Sequence, residues 1–167
     1  MKLLVIRHAV AEDRESFART GEPDALRPLT IEGRRKMRAA ARGLRRVAGR
    51  IDLLAASPLA RAVQTAEIVR AAWGDVRTVV QPALLPGRAP AALLAWLRAR
   101  RPSATIAVVG HEPDLGRLVG YLTAGLPRPV VELRKGQACL LEFSRKPRAG
   151  GARIVWSLKS SQLRRMA

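Results

Sequence analysis

Cysteine, histidine and aromatic residues are all scarce in this chain, and each shortage removes a class of function. One cysteine, Cys139, among 167 residues leaves no internal disulfide to form, and nothing points to an oxidising compartment. With two histidines and that cysteine, a zinc cage of nitrogen and sulfur ligands is almost excluded. Aromatic residues are 4% of the chain, and Trp73, Trp96 and Trp156 are too widely spread to form a stacking platform for bases. No specific nucleic-acid partner is therefore expected. No apolar run approaches the roughly 18 residues of a membrane span, so no membrane partner is expected either. The opening MKLLVIR has four consecutive apolar residues before Arg7, too few for a secretory signal. The expected location is cytoplasmic.

What is present is an ordinary globular composition with one outlier. Hydrophobic residues are 48% and charged residues 26%, which argues against disorder, collagen and a coiled coil. A length of 167 residues predicts a single domain, 1–167, large enough to bury its own core. The outlier is charge: 31 Lys+Arg against 13 Asp+Glu, a formal +18. Such a field attracts nucleic acid, anionic lipid, polyphosphate or acidic proteins. Compositional drift towards arginine and alanine explains it equally simply, since arginine is scattered through every segment. Charge alone does not name the function.

Strand-like and helix-like segments alternate along the chain. Residues 2–6, KLLVI, predict a buried strand. Residues 12–29, broken by Gly21, Pro23 and Pro28, predict a long loop of the kind that often acts as a lid. Thr30 stands at an N-cap position before a helix over 31–48, with Met37, Ala40, Ala41, Leu44, Val47 and Ala48 as its apolar stripe. Strands are predicted at 52–56 and 77–80 and, most clearly, at 104–109. Helices are predicted from Ser57-Pro58 to about 72, over 90–100 and over 114–124. Runs 137–144 and 153–159 predict an antiparallel edge hairpin. The expected fold is a three-layer α/β/α arrangement: a mostly parallel sheet flanked by helices, with that hairpin at its C-terminal edge.

Ligands bind such sheets at the carboxyl ends of the strands. Both histidines fall there, in Arg7-His8 after the first strand and in Gly110-His111 after the 104–109 strand. Arg61 lies in the first turn of the helix after Ser57. A cation there opposes the helix dipole, a cost that makes sense if an anion is bound beside it.

At this point the chain resembles a family. RHA at 7–9, SPLARAVQTA at 57–66 and GHEP at 110–113 are similar to the motifs of the histidine phosphatase superfamily. The short chain, the stretch RPLTIEGRRK at 27–36 and the lack of a long helical insertion resemble its SixA-type phosphohistidine phosphatase branch. The resemblance implies that His8 is the nucleophile that receives a phosphoryl group. It implies that Arg7, Arg61 and His111 clamp the phosphate oxygens. The chemistry suits these residue types, because neutral imidazole is a competent nucleophile and forked guanidinium donors neutralise equatorial oxygens. Neighbouring arginines should keep His8 unprotonated. No metal and no cofactor are then needed.

The chain departs from the family pattern in two places. Ala9 stands where glycine is usual. The loop after the third predicted strand, QPALLPGRAP, lacks the carboxylate that phosphomonoesterases of the family use as general acid. An alkoxide leaving group needs that proton, whereas the imidazole of phosphohistidine can leave as a neutral ring. The missing acid therefore suggests a phosphohistidine substrate, on a phosphorylated protein such as a histidine-phosphotransfer domain. Small phosphate-bearing molecules or polyphosphate are the alternative, and a non-catalytic polyanion-binding module is the reading from another class.

Glu112, Glu12 and Asp13 are the remaining candidate acids. Glu112 is read chiefly as charge at a helix N-terminus, and Glu12 and Asp13 as loop charge. Arg27 is a candidate phosphate contact from the lid loop. Ser57 is read as a structural cap rather than a ligand, Thr65 and Glu67 as helix-face residues supporting Arg61, and Cys139 as core. A monomer is expected.

Overall fold

The structure, a computed structural model, describes every residue of the chain except Asp75. Six strands form one sheet: β1 (Lys2–Arg7), β2 (Leu53–Ala56), β3 (Thr78–Val80), β4 (Thr105–Gly110), β5 (Ala138–Phe143) and β6 (Ala152–Leu158). Their order across the sheet is β3-β2-β4-β1-β5-β6. The first four in that order run parallel, and β5 lies antiparallel to both β1 and β6. This is the expected mixed α/β sheet with a C-terminal antiparallel hairpin. The hairpin carries a register shift between Leu140 and Leu141.

Successive side chains of each central strand point to opposite faces of the sheet and fall into two buried cores. Leu4, Ile6, Leu54, Ala107, Val109 and Leu140 face one way. They pack under the helices α2 (Ile31–Ala48), α3 (Ala60–Trp73) and α6 (Ser160–Arg165). Leu3, Val5, Ile106, Val108, Cys139 and Leu141 face the other way, under α4 (Pro90–Arg98) and α5 (Asp114–Ala124). Both faces are covered, which is why these strands read as continuous apolar runs rather than alternating ones. Cys139 is fully buried, as expected of a core residue. In α2, Thr30 accepts a hydrogen bond from Gly33 N at 2.8 Å, the capping contact its position predicts. The apolar stripe holds at Met37, Ala40, Ala41 and Leu44, but fades at Val47, which is 37% exposed.

Three expectations need correction. The 12–29 segment is not wholly loop: it holds a short helix, α1 (Arg14–Ala18), and a 3-10 turn at Asp24–Leu26, each too brief to show a periodicity. Ser57 does not cap the following helix. That helix begins at Ala60, with Leu59 at the cap position and no side-chain cap, because residues 57–59 are still leaving the sheet. The terminal helix α6 was not expected, since SSQLRR buries one residue, Leu163, and so has no apolar stripe to read.

Close approach of backbones holds α6 down. A Cβ at Gly43 of α2 would lie 1.9 Å from the Leu163 carbonyl oxygen. Gly43→Ala should therefore lift α6 and cost about 1–3 kcal/mol, the range for overpacking a buried contact. Urea unfolding measures the loss, and limited proteolysis should show new cleavage after Lys159. Unchanged stability together with an intact C-terminus would contradict this packing.

Candidate active site

The pairing of β1 with β4 brings the two histidines together. Arg7 registers with Gly110, and His8 N donates to Gly110 O at 3.0 Å. The next side chains are then neighbours: the rings of His8 and His111 sit 5.1 Å apart at an angle of 52°. β2, on the other side of β4, delivers Ser57, whose Oγ lies 2.9 Å from His111 Nε2. Ser57, expected as a helix cap, instead contacts a histidine of the cleft.

The His8 ring is fixed in one tautomer. Nδ1 lies 2.7 Å from Ala9 O, and a carbonyl can only accept, so Nδ1 carries the proton and Nε2 keeps its lone pair. His8 is 6% exposed, and burial pushes its pKa down to about 4, helped by the charges of Arg61, Arg7 and Lys135. His111 is 4% exposed, and burial, then the neighbouring His8 and Arg61, lower it to about 3. Both rings are neutral at pH 7.

Cations surround them in a cleft of about 560 Å³ lined by Arg7, Arg27, Arg61 and Lys135 as well as both histidines. Arg7 Nη1 donates to Leu133 O at 2.7 Å. Arg61 is buried; its Nη1 donates to Asp24 O at 3.0 Å and its Nη2 lies 3.2 Å from Asp24 Oδ2. Arg27 donates from Nε to Asp24 Oδ1 at 2.7 Å and from Nη1 to Glu12 O at 2.7 Å. The Nε atoms of Arg7 and Arg61 and Nδ1 of His111 are buried without a partner. Thr65 Oγ1 donates to Arg61 O at 2.6 Å and accepts from Ala9 N at 3.0 Å, so it ties the loop after β1 to α3. Glu67 is exposed and takes no part.

The carboxylates are occupied differently. Glu112 Oε1 accepts from Leu133 N at 2.8 Å and Oε2 from Gly116 N at 3.3 Å, so it joins the start of α5 to the 126–136 loop. Burial raises its pKa. Asp13 caps α1 through Ser16 N at 2.9 Å, a bond that lowers its pKa. Glu12 and Asp13 both line the cleft mouth from exposed positions. Among the described residues no group of three or more His, Cys, Asp or Glu side chains is placed to hold a metal ion.

Asp24, Gln64 and Lys135 escaped the sequence reading. Gln64 Oε1 accepts from Leu29 N at 2.8 Å, joining α3 to the end of the 12–29 segment. Lys135 had a usable signal. β5 runs antiparallel to β1, so residues just before β5 lie at the carboxyl end of β1, beside His8. Nothing local marks Asp24.

The comparisons with known proteins agree with this geometry. Residues 3–85 match the family model described as histidine phosphatase superfamily (branch 1). An uncharacterized protein of Picosynechococcus sp. is 35% identical over 156 residues, covering 92% of this chain and 88% of that one. The chain belongs to the histidine phosphatase superfamily. The structure of the protein histidine phosphatase SixA complexed with tungstate superposes with a TM-score of 0.83 at 26% identity, covering 98% of this chain and 99% of that one. The putative phosphohistidine phosphatase SixA from Agrobacterium tumefaciens shares the fold, with a TM-score of 0.75 at 20% identity over 94% and 96% of the two chains. Within the superfamily this phosphatase falls in the SixA-type branch.

Burying two neutral imidazoles makes stability depend on pH. Both folded pKa values lie below the ordinary 6.5, so below that pH the unfolded chain binds protons that the folded chain refuses. The melting temperature should fall as pH drops from about 6.5 towards 4. His8→Asn should flatten that slope, and parallel curves for the two proteins would contradict the assignment of neutral rings.

Proposed function

We propose that this phosphatase hydrolyses phosphohistidine, carried on a protein such as a histidine-phosphotransfer domain, by metal-independent transfer of the phosphoryl group to His8. The carrying observation is the His8–Ala9 hydrogen bond, which leaves an unprotonated Nε2 facing a cleft of cations. In this reading Arg7, Arg61, His111 and Arg27 bind the phosphoryl oxygens. The donors buried without partners on Arg7 and Arg61 suit that task. A dianionic group would also raise the pKa of His111 and turn it into a donor. Ser57, 2.9 Å away, would orient its ring.

Two displacements complete the cycle. His8 Nε2 forms a bond to phosphorus as the substrate's phosphorus–nitrogen bond breaks, releasing neutral imidazole whose other nitrogen already holds a proton. Water then attacks phosphorus, returning His8 and releasing phosphate. No step needs a strong acid, which fits a cleft where Glu112 is engaged by two amides and Asp13 by a cap. The reading takes residues 1–167 as one cytoplasmic domain acting as a monomer.

A small-molecule phosphatase is the second reading, favoured by Glu12 and Asp13 at the cleft mouth, either of which could serve as acid. A phosphoserine phosphatase from Entamoeba histolytica shares the fold, with a TM-score of 0.68 at 18% identity. The test is hydrolysis of a phosphohistidine protein and of a neutral aryl phosphate by wild type and His8→Ala, with EDTA present. The proposal expects protein substrate to be preferred, EDTA to have no effect, and His8→Ala to lose roughly a thousandfold or more. Turnover of the aryl phosphate alone would favour the second reading, and EDTA-sensitive activity would overturn metal independence.

A further inference from the structure

A second basic hollow, of about 180 Å³, adjoins the cleft. Lys36 of α2, Arg164 of α6 and Lys135 line it, and Ala9 and Val10 form its wall towards the cleft. Lys135 lines both cavities. Ala9 follows His8 directly, and consecutive Cα atoms are about 3.8 Å apart. The two cavities therefore share one side chain and are lined by consecutive residues of the same loop.

Close backbone packing gives the hollow its shape. A Cβ at Gly33 would lie 2.1 Å from Val10 O, so α2 meets the loop after β1 in direct contact. Gly136 has φ +70°, a conformation other residues rarely adopt, and turns the chain immediately after Lys135. The charges are unbalanced. Lys36 has Glu32 at 3.3 Å, but among the described residues neither Lys135 nor Arg164 is ion-paired. Arg164 Nε is shut off from solvent with no acceptor, an expensive state for a charged donor. Shielding from water and the nearby Arg7, Arg27 and Arg61 depress the pKa of Lys135, although much of its side chain is exposed. An anion in the hollow would relieve both strains.

We propose that this hollow is a second anion subsite, in which Lys36, Lys135 and Arg164 hold a carboxylate or second phosphate on the molecule whose phosphoryl group meets His8. The inference rests on the reading that His8 receives that group. On a phosphoprotein the occupant would be an acidic side chain beside the phosphohistidine.

Two matched substrate pairs test it: 4-nitrophenyl phosphate with and without a ring carboxylate, and phosphohistidine peptides with Glu or Gln next to the phosphorylated residue. Wild type should favour the acidic member of a pair roughly tenfold in kcat/KM, mainly through KM, the size of one charge-assisted hydrogen bond. Arg164→Gln should bring that ratio close to one, and Lys36→Gln should lower it. The ratio is taken within each variant, so a general loss of folded enzyme slows both members and leaves it unchanged. A wild type without preference, or a preference that survives Arg164→Gln, overturns the subsite. Inert peptides with active aryl phosphates would remove the phosphohistidine reading while the aryl ratio still decides the subsite. If neither pair turns over, calorimetric titration of His8→Ala with the aryl pair reads the same ratio as affinity.

Discussion

Mutual repulsion among cations is the constraint around which the working face of this protein is built. Arg7, Arg27, Arg61 and Lys135 converge on one cleft, and like charges at such range are costly away from bulk water. The chain offsets this with backbone oxygens: Arg7 takes the carbonyl of Leu133, Arg27 that of Glu12, and Arg61 that of Asp24. The Asp24 carboxylate serves Arg27 and Arg61 together and lies 3.6 Å from Arg14. Segments with little regular structure are thereby pinned to the carboxyl ends of the strands by the side chains they help to restrain. The same field adds to burial in keeping His8 unprotonated, so the residues suited to gripping an anion also help to keep a nucleophile available.

The neutral state of the two histidines has a second root in the fold. β4 and β1 are both buried on two faces, so whatever follows them emerges from the interior rather than from solvent. Imidazole at such a position loses its hydration before any charge is considered. Burial is accordingly the largest influence on both rings, and the arginines add to it. Strand register and electrostatics act in the same direction.

Much of this was legible in the sequence. Parallel strands announce themselves as apolar runs, and the residues just past their ends, Arg7, His8 and His111, follow from that alone. Arg61 was legible because a cation in a first helical turn is out of place. Ser57 was misread because Ser-Pro is a common helix opening, and nothing local says that the helix waits until Ala60. Asp24 and Gln64 were invisible for another reason: each acts across the fold, through contacts made by chain reversal, whereas Lys135 could have been placed from the antiparallel pairing of β5 with β1. Glu112 lay between these cases. Its place before α5 was readable, whereas its bond to Leu133, 21 residues on, was not.

The hydrogen bond from His8 Nδ1 to the Ala9 carbonyl also governs regiochemistry and stereochemistry. With Nδ1 committed to its proton, a phosphoryl group accepted by this ring can sit only on Nε2, so the phosphoenzyme would be one regioisomer. Donor and water would then meet phosphorus in turn from the same open side of the cleft, opposite that nitrogen. Each in-line displacement inverts the phosphorus centre, and two inversions restore it. A chiral phosphate released by such an enzyme would keep the handedness of the group it came from.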